Sequence, residues 1–366
     1  MGGTVSRTDT DAPRHRDGLR VAVLGCGYWG SKHIRVLNAI PEVGTVIAVD
    51  PREDRLRSLK RAFPGLLLHE SPVDALREAD AVIVATPPTT HASIALDALI
   101  AGKGVLVEKP LATSAHDARR LVQEAGSRSA VLMTGHTFEH NAAVWKLREL
   151  VESNELGRIH YLDSARLNLG LYQRDVNVIW DLGPHDVSIF NHVLRAKPKV
   201  VEAWASRHGN RQLEDVAHIR LLYPEPEVTG TIHVSWLDPC KVRRVTVVGS
   251  SKMAVYNDLA VDERVRVYDK GVEAINNSNL QAQPMTYRYG EIRSPYLSFE
   301  EPLHVQDREF VRCVLEQARP STDGENGLGV VEVLECANIS LREARPVYLE
   351  EVSDLAASWS GLAKVL

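Results

Sequence analysis

The sequence predicts an α/β chain in two parts: an N-terminal doubly wound parallel sheet, then an α+β unit with a mainly antiparallel, open sheet. Three observations predict it. From Leu19 to His136 short apolar runs alternate with segments of helical period. Beyond Ile159 extended runs rich in β-branched residues adjoin one another across turns. The 366 residues also exceed the roughly 250–300 at which a single core stops growing, so two domains are expected.

The first part opens with the strand RVAVLG, a glycine-rich turn and the helical GSKHIRVLNAI. TVIAVD is the next strand, and REDRLRSLKRAF the next amphipathic helix. A brief LLLH leads to a helix capped by Ser71 with Pro72 at its first position. DAVIVAT is a strand, HASIALDALIAG a helix stopping at Gly102, and GVLVEK a strand. Ser114 with Asp117 opens a helix ending at Gly126. SAVLMTG closes the series. Six strands, several continuously apolar, fit a parallel sheet buried on both faces.

The second part begins with a helix over Ala142–Ser153. The strands RIHYLDSARLNL, KVVEAWAS, EDVAHIRLLYP, VTGTIHVSWLD, RRVTVVGS, KMAVYND and ERVRVYD follow, broken by a helix over Asp181–Leu194. In VTGTIHVSW, Ile232, Val234 and Trp236 fall on one face and Thr231, His233 and Ser235 on the other, the period of a half-buried strand. Gln281–Pro302 has little periodicity and reads as a long ordered loop. Helices over His304–Gln317 and Gly327–Arg342 end the fold. The predicted units are a disordered tail over 1–18, a first domain over 19–136, and a second over 137–366.

Gly25-Cys26-Gly27-Tyr28-Trp29-Gly30 matches G-x-G-x-x-G, follows a strand, opens a helix and precedes Asp50 at the end of the second strand. The glycines allow a tight turn, close approach of backbone amides to a pyrophosphate, and close packing of the helix whose positive end faces the phosphates. Tyr28 and Trp29 lie inside that turn. Asp50 would accept hydrogen bonds from ribose hydroxyls and repel a 2′-phosphate, which favours NAD; Arg52 keeps NADP as the less favoured cofactor. Thr86, Pro87 and His91 sit in the loop ATPPTTH at the carboxyl end of the fourth strand, where open sheets bind ligands; a plain connection with Thr89 or Thr90 as N-cap is equally expected.

The fifth strand ends Glu108-Lys109-Pro110. The proline restricts Lys109 to extended backbone, and its ammonium projects from the sheet edge, where it can stabilise charge developing on oxygen. In WDLGPHD, Asp181 as a helix cap puts His185 one turn beyond it. A histidine is the natural acid/base near neutral pH, and a carboxylate one turn away orients it or raises its pKa. A buried structural histidine is the competing reading.

Together, the glycine turn, ATPPTTH, EKP, GHTFEHNAAV and the Asp181/His185 pair resemble the Gfo/Idh/MocA oxidoreductases from about Arg20 to Tyr348. The resemblance implies a Rossmann domain holding the cofactor, with Glu108 and Lys109 beside it, and an α/β domain carrying the substrate and the oligomer contact. It implies catalytic roles for Lys109, Asp181 and His185, with Asp181 orienting the imidazole. RLNLGLYQRDVNVIWDLGPHDVSI is most similar to the branch acting on carbon 3 of nucleotide-activated sugars, especially UDP-sugar uronates. His136, Arg166, Asn168 and Asn177, with Lys109 and His185, are then candidate substrate contacts; Arg166 as a solvent-facing strand residue is an equal reading.

The expected reaction is hydride transfer between nicotinamide C4 and a secondary alcohol or ketone of a sugar, probed against three alternatives: a cyclitol or free-sugar dehydrogenase, as in aminoglycoside assembly, a cofactor-sensing regulator without turnover, and redox-neutral glycoside cleavage with tightly held NAD. A net charge of -5 with intermixed signs argues against nucleic acid. No apolar run approaches a membrane span, and residues 1–18 lack the apolar region of a signal peptide. Four scattered cysteines fit a reducing cytoplasm. His136-x-x-x-His140 has no further ligand nearby, so no metal is expected, and neither a G-x-S-x-G elbow nor a Walker lysine loop occurs. An open antiparallel sheet needs its outer face covered, which predicts a homodimer or homotetramer.

Overall fold

The computed structural model describes residues 18–353 apart from 171, 174, 210–211, 226 and 275–284. Residues 1–17 of the expected tail lie outside the described residues.

The first sheet is built from β1 (Leu19–Leu24), β2 (Val43–Val49), β3 (Leu67–His69), β4 (Ala81–Val84), β5 (Gly104–Glu108) and β6 (Leu132–Gly135). All pairs are parallel, in the order β3-β2-β1-β4-β5-β6. Val21, Ala22, Val23, Val82, Ile83 and Leu106 are fully buried, as residues covered by helices on both faces must be. The order reverses between β1 and β4, which opens the crevice where such sheets take ligands. Helix α1 (Tyr28–Leu37) follows β1; α2 (Glu53–Ala62), α3 (Pro72–Glu78), α4 (Pro88–Ile100) and α5 (Ala115–Arg128) follow the next strands. Helix α4 starts at Pro88 with Pro87 as N-cap, ahead of Thr89 and Thr90. Helix α5 runs through Gly126 and stops at a left-handed Ser129, because a glycine mid-turn costs only about 1 kcal/mol.

A short 3-10 turn (Thr137–His140) and α6 (Ala142–Glu152) lead into the second sheet. Its strands are β7 (Ile159–Leu169), β8 (Val200–Ser206), β9 (Val216–Tyr223), β10 (Val228–Ser235), β11 (Leu237–Gly249), β12 (Met253–Asn257), β13 (Val265–Ala274), β14 (Met285–Arg293) and β15 (Val347–Tyr348). They run in the order β14-β13-β12-β11-β7-β10-β9-β8-β15, with β10–β7 the parallel pair and the others antiparallel. One face packs on α7 (Val178–Leu194) and α9 (Gly324–Glu343), burying Ile232, Val234 and Trp236. The other face displays a row of rings: Trp204, His218 and His233 stand at centroid distances of 5.8 and 4.0 Å.

Three expectations need correction. Within the segment expected to be a loop from Gln281 to Pro302, Met285–Arg293 form strand β14, paired antiparallel with β13; residues 281–284 lie outside the described residues. Nearly every β14 side chain is exposed, so no buried face marks its sequence. Helix α7 is capped by Asn177, whose side-chain oxygen accepts from Trp180 N at 3.2 Å, and not by Asp181. Pro184 therefore sits inside the helix, a position that removes one backbone hydrogen bond. Finally, α8 (Pro302–Glu316), expected in the second unit, folds back on the first sheet. Its Phe310, Val311 and Cys313 share one core with Val21, Ile34 and Leu106. Among the described residues no helix is long and apolar enough to cross a membrane.

Candidate active site

The glycine turn has the local chemistry that a phosphate cradle requires. Gly25 adopts φ +88°. A Cβ on Gly30 would stand 1.8 Å from the Gly25 carbonyl oxygen, whereas one on Gly27 would meet nothing within 4 Å. The turn is therefore closed on the protein side and open on the other, beside the first turn of α1. Asp50 is buried at the end of β2 and accepts from the backbone N–H groups of Cys26 and Arg52, each at 2.9 Å, and from Arg55 at 3.2 Å. The Arg52 guanidinium turns away onto Asp54. Burial, with Asp50 beside it, pushes the Cys26 thiol up to about 12, so it stays protonated. The pattern fits NAD: an acid where the ribose diol would lie, and a nearby arginine engaged elsewhere.

Thr86 borders the glycine turn, its Cγ2 2.9 Å from where a Cβ on Gly25 would stand, and Pro87 beside it caps α4. His91 is buried, with Nδ1 2.7 Å from the Pro110 carbonyl oxygen and Nε2 2.9 Å from that of Thr86. It ties two loops together and has no ring nitrogen left for a cofactor. Glu108 is buried beneath the strand end, bonded to His33.

A cavity of about 370 Å³ opens beside the carboxyl edge of β5, lined by Tyr28 and Trp29 of the glycine turn, Glu108, Phe138, Arg166, Asn168 and His185 among others. Lys109 extends alongside and donates from Nζ to the Asp181 carbonyl oxygen at 2.7 Å, with the Asp181 carboxylate at 3.4 Å. The other carboxylate oxygen of Asp181 accepts from Trp236 Nε1 at 2.9 Å. Asp181 thus holds Lys109 and, among the described residues, makes no hydrogen bond to the His185 ring, which corrects the expectation that it orients the imidazole. His185 packs edge-on to Phe138 at 5.0 Å, and its Nδ1 has no hydrogen-bond partner among the described residues. Burial and the positive charges of Lys109, Arg166 and Arg243 hold its pKa well below the usual histidine value, opposite to the rise expected from a carboxylate neighbour.

Arg166 is buried, not solvent-facing. Its guanidinium forks onto Asp186 at 2.7 and 3.1 Å and lies over the Phe138 ring at 4.5 Å. Asn168 reaches the cavity two residues along the same strand. Two candidates fall elsewhere. Asn177 is spent on capping α7 and on Glu214, at 2.9 Å. His136 is buried against Asn326, 2.6 Å away, outside the cavity lining. Sequence reasoning passed over Asn141, Lys241, Arg243 and Asp258, which also line the cavity. The alternation Lys241, Arg243 on β11 was the available signal. Among the described residues no group of three or more His, Cys, Asp or Glu side chains is arranged to hold a metal ion.

Residues 19–136 match the model of the oxidoreductase family with an NAD-binding Rossmann fold, and residues 144–255 match the GFO/IDH/MocA C-terminal domain. The chain is 25% identical over 347 residues to a myo-inositol 2-dehydrogenase of Thermotoga maritima, covering 91% of this chain and 99% of that one. It is 32% identical over 192 residues to a UDP-N-acetylglucosamine 3-dehydrogenase of Acidithiobacillus ferrooxidans, covering 50% and 57%. The crystal structure of GenD2 from gentamicin A biosynthesis, in complex with NAD, superposes with a TM-score of 0.75 at 26% identity, covering 94% of this chain and 99% of that one. The chain belongs to the Gfo/Idh/MocA oxidoreductases, with an NAD-binding Rossmann domain ahead of the C-terminal domain of that family.

Proposed function

We propose that this oxidoreductase transfers a hydride between NAD and a secondary alcohol or ketone of a sugar or cyclitol ring, at carbon 3 of a nucleotide-activated sugar in the reading favoured here. The observation that carries it is a neutral, buried His185 on the cavity wall close enough to feel the charge of Lys109. NAD, when bound, takes up the hydride. His185 accepts the hydroxyl proton, which a depressed pKa permits at neutral pH. Lys109, held by Asp181, polarises the same oxygen. Arg166 and Asn168 hold the sugar ring. A pure cofactor sensor has no need of this assembled set.

The charge of the cavity favours an anionic substrate. Of its five cationic lining residues, Arg35, Arg166 and Arg243 are engaged by Glu301, Asp186 and Asp258. Lys32 and Lys241 have no acidic partner among the described residues, and Lys32 Nζ lies 5.5 Å from the centroid of the Tyr28 ring. Two such ammonium groups suit a phosphate or uronate. A second reading, an inositol dehydrogenase, is favoured by the full-length match to the myo-inositol enzyme and by a cavity of monosaccharide scale. NADH absorbance with UDP-N-acetylglucosamine, a UDP-sugar uronate, myo-inositol and free hexoses separates the two. Turnover of neutral cyclitols alone overturns the anionic reading, and turnover of none overturns both. The exposed sheet face carrying Trp204 supports a homodimer or homotetramer as the working assembly.

A further inference from the structure

We propose that His33 is a positioning residue of the hydride-transfer site: clamped between Glu108 and Asp307, it fixes the carboxyl edge of β5, and with it Lys109, against the first helix. The proposal concerns three buried side chains that the reading above leaves unused. His33 lies on α1, one helical turn beyond the glycine turn. Its Nε2 is 3.0 Å from Glu108 Oε1, and its Nδ1 is 2.9 Å from both Asp307 carboxylate oxygens. Glu108 ends β5, and Asp307 is on α8, so one ring joins three elements distant in sequence.

Ionised carboxylates only accept hydrogen bonds, so with both ionised the ring between them carries protons on both nitrogens; burial pushes the Asp307 carboxyl up, and the charge of and hydrogen bond from His33 pull it back. Glu108 and Asp307 are the charged groups that face it among the described residues. Burial opposes the imidazolium, yet the two carboxylates hold its pKa up at about 10. Burial works against the Glu108 charge as well, and hydrogen bonds from His33 keep that carboxyl below its usual range.

Mechanical consequences follow from what Glu108 touches. Its second carboxylate oxygen accepts from the backbone N–H of Lys109 at 3.2 Å. On its other side β6 is in contact: a Cβ on Gly135 would stand 3.1 Å from the Glu108 Cα. Next to Asp307, Gln306 accepts from the Thr137 hydroxyl at 2.8 Å, and Thr137 lines the cavity. Without the imidazolium, two buried carboxylates would face one another uncompensated and the strand end would lose its anchor. Helix α8, packed on the first sheet by Phe310, Val311 and Cys313, supplies the second carboxylate.

The inference rests on the dehydrogenase reading for its purpose, but its tests need no turnover. In the wild-type protein labelled with 15N-histidine, the His33 signal, assigned by its loss in His33→Asn, is expected to show both ring nitrogens protonated at pH 8. A neutral ring at that pH overturns the proposal, whether or not any variant folds. The second readout is NADH affinity by fluorescence titration. Asp307→Asn keeps an acceptor for Nδ1–H but removes one charge, so the His33 pKa drops toward its ordinary value. Above it the ring has one proton for two partners. NADH binding by Asp307→Asn should then weaken by about tenfold between pH 6 and pH 9, while wild-type affinity changes little. Curves that overlay those of the wild type overturn the positioning role and leave the network a packing feature. A protein that binds NADH in this manner yet oxidises no sugar defeats the proposed function and not this inference.

Discussion

At Lys109 and Asp181 the residue-scale chemistry turns on which atoms are already committed. Lys109 Nζ rests on the backbone carbonyl of Asp181 more closely than on its carboxylate. Asp181→Asn keeps that carbonyl and leaves an acceptor for Trp236. It should lower kcat by about tenfold, clearly less than Lys109→Ala, and a loss equal to that of Lys109→Ala in steady-state kinetics would give Asp181 a direct part in the chemistry. His185 predicts a pH effect. Its folded pKa lies well below the ordinary histidine value, so between the two the unfolded imidazole takes a proton that the native one refuses. Its contribution to stability is present above about pH 6.5 and is lost as pH falls below it. Thermal melts from pH 7.5 to pH 5 should show a smaller acid loss for His185→Asn than for wild type, and equal losses would contradict this. That His185 and Lys109 would lie close to one another was legible because each lies in a contiguous motif. His91 and Asn177 misled because a polar residue at a strand end or a helix start serves the backbone as readily as a ligand. Asp258 was hidden since it lies just past β12 and meets Arg243 of β11 only after the sheet forms.

The elements that carry the cofactor site depend on glycines in different ways. A Cβ at Gly30 collides with the Gly25 carbonyl, whereas one at Gly27 enters open space. Gly30→Ala should therefore cost stability, about 1–3 kcal/mol by overpacking. Gly27→Ala should melt with the wild type yet bind NAD at least about tenfold more weakly, because its methyl fills the room a phosphate needs. Calorimetry of the two variants checks both, and wild-type NAD affinity in Gly27→Ala would place the pyrophosphate elsewhere. The six parallel strands were legible element by element, since full burial on two faces leaves continuous apolar runs. Strand β14 was not: an edge strand exposed on both faces carries no pattern of burial. Nor was the return of α8, because an amphipathic helix announces its apolar face but not the sheet that receives it.

On the scale of the whole molecule, two sheets meet so that the glycine turn, the end of β5 and the face of α7 close on one cavity. Cofactor elements come from the first sheet, and the histidine proposed as acid/base comes from a helix packed on the second. The outer face of the second sheet, with Trp204 59% exposed and His218 and His233 stacked beside it, is a surface that a second copy of the chain would cover. Light scattering should return a dimeric or tetrameric mass, and Trp204→Asp should lower it; a monomeric wild type would contradict this assembly. The central claim is that His185 and Lys109 act on a ring hydroxyl beside bound NAD. Its most direct test is NADH formation from the sugar and cyclitol panel by wild type, His185→Ala and Lys109→Ala, with NAD affinity measured on the same samples. Turnover by the wild type, a loss of at least about a hundredfold in both variants and NAD affinity near that of the wild type are predicted. Wild-type rates in either variant would contradict the account.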